Sequence, residues 1–302
     1  MKKWNRREVL AAGAAFSTLP RLAAGDETEM LKKPIPASGE ALPVIGLGTY
    51  SVFDVDSTPE EIQKRRDIVA QLTAAGGSVI DTSPMYNRSE RVIGDVLQDD
   101  SERAHVFLAT KVWVDGKDAG ASQMRRSADL MGANVIDLMQ VHNLRDTAVH
   151  MDTIRDWQSD GRIRYNGLTH YTAGAHEALM REMKNFKPEF IQINYSLGER
   201  EAENRVLPLA QDLDIAVLIN RPFQAGRLFG AVQGRQLPDF AREIADSWGQ
   251  FFLKFIVSHP AVTCVIPATS KPHHMADNLG AGFGSMPDPA MRKRMAEFFS
   301  SL

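Results

Sequence analysis

The chain has 302 residues, 43% of them hydrophobic, and a formal charge of −3. That length and apolar share suffice for a large buried core. The single cysteine rules out an intramolecular disulfide framework, and the slightly acidic balance gives no basis for nucleic-acid binding.

The first 24 residues read as separate from the fold. Lys2, Lys3, Arg6 and Arg7 make a positive start. Val9 to Leu19 is apolar but far too short to span a bilayer. Leu22-Ala23-Ala24 then offers a cleavage region, which completes the layout of an export signal. The pair Arg6-Arg7, in NRREVLAAGAA, resembles a bacterial twin-arginine signal. Asn5 and Val9 stand where Ser or Thr and Phe are more usual. The expectation is a removable segment 1–24, transient contact with the twin-arginine export machinery, and a periplasmic mature chain 25–302. If the signal does not function, the location is cytoplasmic. Removal takes away five positive side chains and one carboxylate, so the mature chain is more acidic still, with no stable membrane insertion.

MLKKPIPASGEALPVIGLGTY reads as a short hairpin, turned at Ser38-Gly39, leading into a first strand. Thr58-Pro59-Glu60-Glu61 then starts a helix, with a capping residue, Pro in the first turn and Glu three positions on. Gly76-Gly77 stops it. A strand–helix rhythm follows: SVIDTS and SERVIGDVLQD, VFLATKVW and SQMRRSADLMGA, VIDLMQVHN and VHMDTIRDWQSDG. It continues with IRYNGLTHY and AHEALMREMKNF, then FIQINYSL and REAENRVLPLAQDL. Strand IAVLINRPF precedes an insertion from Ala225 to Phe240 and helix SWGQFFLKFIVSHP. Strand VTCVIPA precedes helix HHMADNLGAG, and AMRKRMAEFFSSL closes the chain. Cys264, in AVTCVIP, reads as a small buried hydrophobe.

Strict alternation implies parallel strands joined by right-handed crossovers. Eight units in one domain match a (β/α)8 TIM barrel, here with an N-terminal β-hairpin and a C-terminal extra helix. A doubly wound open sheet is the rival, and it would carry a Gly-rich phosphate loop after its first strand. Ile45-Gly46-Leu47-Gly48-Thr49-Tyr50 lacks the third glycine and no helix opens behind it, which favours the barrel.

The C-terminal strand rim of such a barrel carries the chemistry. Asp81, Lys111 and His142 fall near the ends of the second, third and fourth strands, and Tyr86 in the loop after Asp81. A free phenol titrates at about 10 and gives up its proton reluctantly at neutral pH. A neighbouring ammonium lowers that value, so Lys111 is expected to tune Tyr86 and Asp81 to hold Lys111 charged. His142 can donate to a carbonyl oxygen. A hydride source is missing from these four, so a redox cofactor is required. Taken singly, Asp81 reads as a turn cap, Lys111 as its counter-ion, His142 as a core histidine and Tyr86 as a surface aromatic.

From the hairpin at about Leu31 through the last helix, the chain resembles the aldo-keto reductases. GGSVIDTSPMYNRSERVIGDVL is similar to the segment carrying the family's aspartate and tyrosine, FLATKVW to its lysine segment and DLMQVHN to its histidine segment. The resemblance implies that Tyr86 is the general acid, that Lys111 and Asp81 tune it, and that His142 orients the carbonyl. It also implies NADPH, with NADH possible, lying across the rim. Gly48, Thr49 and Tyr50 match the loop touching its nicotinamide end, and Asp81 adjoins them. Gln192 matches the residue that binds the carboxamide, and Thr169 and His170 stand for the usual Ser-Asn pair. Asn220-Arg221-Pro222-Phe223 replaces an aromatic residue followed by Ser-Pro-Leu. Arg221 is expected on the pyrophosphate. Ala268, Thr269, Lys271, His274 and Asn278 match the adenosine-phosphate segment, with no basic side chain at Ala268 and with His274 at the place of a usual Arg.

Tyr50, Trp113 and Asn143 are expected to line the mouth and receive a small carbonyl substrate. His273-His274 suggests metal only superficially, since adjacent helical residues diverge, and none is expected. Two other functions remain: a non-catalytic dinucleotide-binding sensor or partner subunit on the same barrel, and an enzyme of the same class working mainly as an alcohol dehydrogenase.

Overall fold

The computed structural model describes residues 29–302. The proposed export segment therefore lies outside the described residues. An antiparallel hairpin, β1 (Lys32–Pro34) and β2 (Ala41–Pro43), comes first. Eight parallel strands follow: β3 (Leu47–Gly48), β4 (Val79–Asp81), β5 (Phe107–Val112), β6 (Ile136–His142), β7 (Ile163–Thr169), β8 (Phe190–Asn194), β9 (Ala216–Asn220) and β10 (Cys264–Val265). The helices between and after them are α1 (Pro59–Ala74), α2 (Ser89–Val96), α3 (Asp100–Arg103), α4 (Lys117–Met131), α5 (Thr147–Ser159), α6 (His176–Phe186), α7 (Val206–Asp212), α8 (Arg227–Ala231), α9 (Trp248–Val257), α10 (Pro272–Gly280) and α11 (Pro289–Ser300). This is the (β/α)8 barrel with its hairpin and its extra terminal helix. Among the described residues no helix is long and apolar enough to cross a membrane.

The strands run in sequence order, and the ends meet. Gly46 N–H donates to Val265 O at 2.8 Å, Val265 N–H to Val44 O at 2.9 Å, and Gly48 N–H to Pro267 O at 3.1 Å. Closure removes the unpaired edges that an open sheet would expose. A Cβ on Gly48 would stand 2.7 Å from the Ile266 carbonyl oxygen, so this strand can close only with glycine there. The Gly46-Leu47-Gly48 run thus serves barrel closure, which is why it never needed the third glycine of a phosphate loop.

Alternate strand residues point inward, and their chemistry changes along the barrel. Val79, Phe107, Ala109, Leu138, Tyr165, Phe190, Ala216, Leu218, Cys264 and Ile266 form one buried apolar cluster. Ile35 and Leu42 of the hairpin join it and plug the N-terminal end. Two residues further along the same strands, the inward positions become Asp81, Lys111 and Gln140. A polar layer therefore rests on an apolar one. Cys264 belongs to the apolar layer; burial pushes its thiol well up, which leaves it unreactive.

Local signals fixed the helix starts where caps were present. The Thr58 side chain accepts from Glu61 N–H, with Pro59 in the first turn. Elsewhere the boundaries moved. The helix expected over 200–213 is a 3₁₀ turn, Glu201–Asn204, followed by α7. Pro208 has no N–H for a bond back to Asn204, so the chain starts a new helix beside it. The helix α4 begins at Lys117, ahead of the expected start at Ser122. The insertion after β9 holds α8 and a 3₁₀ turn, Asp239–Ala241.

Candidate active site

The centre of the rim is a buried ion pair. Lys111 Nζ donates to Asp81 Oδ2 at 2.6 Å and to Thr82 O at 2.6 Å. Lys111 is 0% exposed and Asp81 2%. Burial works against the ammonium, but the Asp81 carboxylate and the Tyr86 oxygen outweigh it, and Lys111 ends above its ordinary value. Lys111 is thus held charged in a place that water does not reach.

The second carboxylate oxygen of Asp81 is also occupied. It accepts from Gln192 Nε2 at 2.7 Å and from Gln140 Nε2 at 3.1 Å, and Gln192 Nε2 also donates to Gln140 Oε1 at 3.1 Å. Satisfying both oxygens is what makes a buried carboxylate tolerable. Gln140 was not singled out from the sequence. The signal was available: it sits two residues before His142 on one strand and so shares its inward face. Gly167 makes room for it, since a Cβ there would stand 3.1 Å from Gln140 Cγ.

Tyr86 returns to the rim through a tight turn, its N–H donating to Ser83 O at 3.0 Å. Lys111 Nζ lies 5.2 Å from the centroid of its ring. Burial raises the phenol, and the nearby Lys111 ammonium only partly offsets this. The expectation of a lowered phenol is therefore corrected: desolvation of the phenolate exceeds the attraction of the cation. The consequence is that Tyr86 keeps its proton at neutral pH.

His142 is 8% exposed, and its ring centroid lies 6.4 Å from those of both Tyr86 and Trp113. Burial, then the charges of Lys111 and His170, lower it to about 3. It is a neutral imidazole at physiological pH. Its Nδ1 lies 3.2 Å from Ser83 Oγ, another residue not foreseen, two positions beyond Asp81. The next two residues, Asn143 and Leu144, have φ of 54° and 57°. Backbone strain of this kind gathers at functional rims.

The mouth residues sit around these groups. Tyr50 is 66% exposed, and its ring meets Tyr86 edge-on at 5.1 Å. Trp113 carries the Arg145 guanidinium 4.7 Å above its ring. Arg145, not expected from the sequence, is itself paired with Asp115 at 2.8 and 2.6 Å.

The residues matched to the cofactor fall into two groups. Several are committed to the protein. Thr49 is fully buried, and its hydroxyl donates to Asp81 O at 3.0 Å. His170 Nδ1 accepts from Tyr171 N–H at 3.0 Å and Thr172 N–H at 3.3 Å. Thr169 is buried in the ladder beside His142. Pro222 is buried, and Phe223 packs on Phe229 at 4.9 Å. Thr269 Oγ1 accepts from Lys271 N–H at 3.1 Å, and Asn278 is 4% exposed.

Others are open. Arg221, at φ 51°, is exposed and makes no ion pair among the described residues; its guanidinium lies 5.7 Å from the Tyr171 ring. Lys271, His274 and Ala268 are exposed. Lys271 precedes the first turn of α10 with no side-chain cap, so positive charge and free N–H groups coincide there. At the inner end, Asn220 Nδ2 donates to His170 O and Gln192 Oε1, both at 3.3 Å, while its Oδ1 has no partner among the described residues. Asn143 Oδ1 is orphaned in the same way. Unsatisfied acceptors at one end and an anion-binding helix start at the other fit a carboxamide and a phosphate. No group of three or more potential metal ligands occurs among the described residues.

A model of the aldo/keto reductase family matches residues 44–292. An aldo-keto reductase of Mycobacterium sp. (strain JLS) is 24% identical over 242 residues, covering 77% of this chain and 72% of that one. The NADH-specific methylglyoxal reductase of Escherichia coli (strain K12) is 24% identical over 243 residues, covering 70% and 73%. Among solved structures, an aldo-keto reductase from Klebsiella pneumoniae in complex with NADPH superposes with a TM-score of 0.70 at 26% identity, over 89% of this chain and 96% of that one.

Proposed function

Because the chain belongs to the aldo/keto reductase family, we infer that it is an NAD(P)H-dependent oxidoreductase that reduces an aldehyde or ketone to the alcohol by hydride transfer. The observation that carries this reading is the buried Lys111–Asp81 pair set beneath a protonated Tyr86 and beside a neutral His142.

A reduced nicotinamide, when bound, supplies the hydride. The chain's own residues handle the oxygen. Tyr86 faces the substrate with its proton in place and transfers it to the carbonyl oxygen as negative charge develops there. Lys111, held charged by Asp81, stabilises the phenolate that remains. His142, neutral, donates a hydrogen bond to the same oxygen and orients the carbonyl. A positioned acid of this kind contributes about 10²- to 10⁴-fold.

The dinucleotide is assigned along the rim. Tyr50, Asn220 and Asn143 take the nicotinamide end, Arg221 the pyrophosphate, and Lys271, His274 and the start of α10 the adenosine phosphate; Gln192, bonded to Asp81, Gln140 and Asn220, holds the floor beneath. NADPH is the first choice, as in the Klebsiella complex, with NADH close behind, as in the Escherichia coli relative. Ala268 and His274 offer no bidentate fork for a 2′-phosphate, which keeps that preference small. Tyr50 and Trp113 supply aromatic walls for the carbonyl compound.

For the N-terminal segment, outside the described residues, the reading remains export by the twin-arginine route. Substrates of that route cross folded, so the enzyme would carry its nucleotide out with it. Mass and absorbance of any nucleotide on the exported protein test this directly.

The function is tested by mixing the mature protein with NADPH or NADH and a panel of aldehydes and ketones, following loss of reduced-nicotinamide absorbance. Turnover is expected. Tight NADPH binding with no turnover on any carbonyl would favour the sensor reading instead. Initial rates in both directions at one pH assign the working direction.

A further inference from the structure

The His142 imidazole has two nitrogens, and only one can hold the proton that reaches a carbonyl oxygen. Ser83 lies against the other. Its Oγ is 3.2 Å from His142 Nδ1, and both residues are buried. Ser83 Oγ already accepts from the Met85 N–H at 3.2 Å. No other acceptor stands within reach of the Ser83 hydroxyl hydrogen among the described residues.

Two proton arrangements are conceivable. In one, Nδ1–H donates to Ser83 Oγ. The Ser83 hydroxyl hydrogen is then buried with no acceptor, and Nε2 presents a lone pair toward the substrate. In the other, Ser83 O–H donates to a bare Nδ1, and Nε2 carries the hydrogen. Only the second satisfies every buried polar group. The chain is Met85 N–H to Ser83 Oγ, Ser83 O–H to His142 Nδ1, and Nε2–H outward.

We propose that Ser83 is a positioning residue: it locks His142 in the Nε2–H tautomer and fixes the plane of the ring, so that the imidazole is always a donor to the carbonyl oxygen. This rests on His142 being that donor. The anchor is rigid because the Met85 N–H belongs to the same turn that carries Tyr86. The acid and the anchor of the orienting donor thereby share one short segment, Asp81 to Tyr86, which holds His142 in register with Tyr86.

The test is Ser83→Ala, which removes only a hydroxyl from a buried site. Nitrogen-15 shifts of the His142 ring are assigned by comparison with His142→Gln. Wild type should show one neutral tautomer with the proton on Nε2. Ser83→Ala should show a mixture of tautomers and a kcat/KM lower by about five- to tenfold, the weight of one hydrogen bond. NADPH affinity should not change, and Ser83→Thr, which keeps the hydroxyl, should restore the tautomer.

A wild-type proton on Nδ1 overturns the proposal. So does an unchanged tautomer in Ser83→Ala, or a changed tautomer with unchanged kcat/KM. The ring shifts are read without substrate. Failure of the reductase reading would instead appear as absent turnover in wild type, so the two failures are distinct.

Discussion

Lys111 Nζ stands 2.6 Å from Asp81 Oδ2 and 5.2 Å from the centre of the Tyr86 ring, so one buried cation serves both a fixed carboxylate and the phenol proposed as the acid. The division matters. A carboxylate bonded on both oxygens cannot drift toward the phenol, and the ammonium stays where a phenolate would need it.

Tyr86→Phe removes the proton and keeps the ring against Tyr50. Turnover is expected to fall by about 10²- to 10⁴-fold. Cofactor binding, followed by nicotinamide fluorescence, should be unchanged. A kcat near that of wild type would displace Tyr86 as the acid.

Lys111→Met strands the Asp81 charge in a dry site. Loss of about 3–5 kcal/mol of stability is expected in denaturant unfolding. Adding Asp81→Leu should recover most of it, because the buried charge then disappears. If the double variant is as unstable as the sum of the two single ones, the pair is not coupled as described.

Gln140→Leu leaves one oxygen of Asp81 with Gln192 alone. A hydrogen bond to a charged group contributes about 1.5–3 kcal/mol, and stability should drop by that order. Activity should fall with it while NADPH affinity holds, since Gln140 lies beneath the rim and not on it. Wild-type stability in this variant would show that Gln192 suffices.

Two histidines, the buried His142 and the half-buried His259, set an acid limit on stability. His142 is lowered to about 3 and His259 to about 4, in both cases chiefly by burial. Below the ordinary histidine value of about 6.5 the unfolded chain takes up protons there that the folded chain refuses. Their contribution is therefore complete above pH 6.5 and is lost as pH falls toward 3 and 4. Each group accounts for up to about 1.4 kcal/mol per pH unit within that window. Unfolding midpoints measured across it should decline, and less steeply in His142→Gln. Identical slopes in the two proteins would refute the assignment for His142.

Arg6-Arg7→Lys-Lys keeps the charge and removes the pair. If the segment is a twin-arginine signal, the protein should be retained in the cytoplasm, as shown by fractionation and immunoblot. Unchanged periplasmic recovery would point to another route.

Much of the site was legible because the barrel turns order along the chain into order around a rim. Asp81 and His142 each end a strand, Lys111 stands one residue before the end of its own, and successive parallel strands are neighbours. Strand-end position was therefore enough to bring them together. Gln140 and Ser83 were passed over for a different reason: glutamine and serine are common, and only a specific acceptor at hydrogen-bond distance gives either a role. The committed state of Thr49, His170 and Gln192 was hidden likewise, since a side chain's partners lie on distant strands.

The alternation of strands and helices, the capping residues and the charged strand ends determined the barrel and the meeting of a phenol, a cation, a carboxylate and an imidazole at one rim. Those features are local, or repeat with a fixed period, and so survive reading in one dimension. Tertiary structure alone decided the protonation of the site. Whether Tyr86 lies above or below its ordinary value depends on desolvation against one ammonium, and the partner of His142 Nδ1 depends on where a turn places a single hydroxyl. Both are balances of burial and distance, and those exist only once the chain has closed on itself.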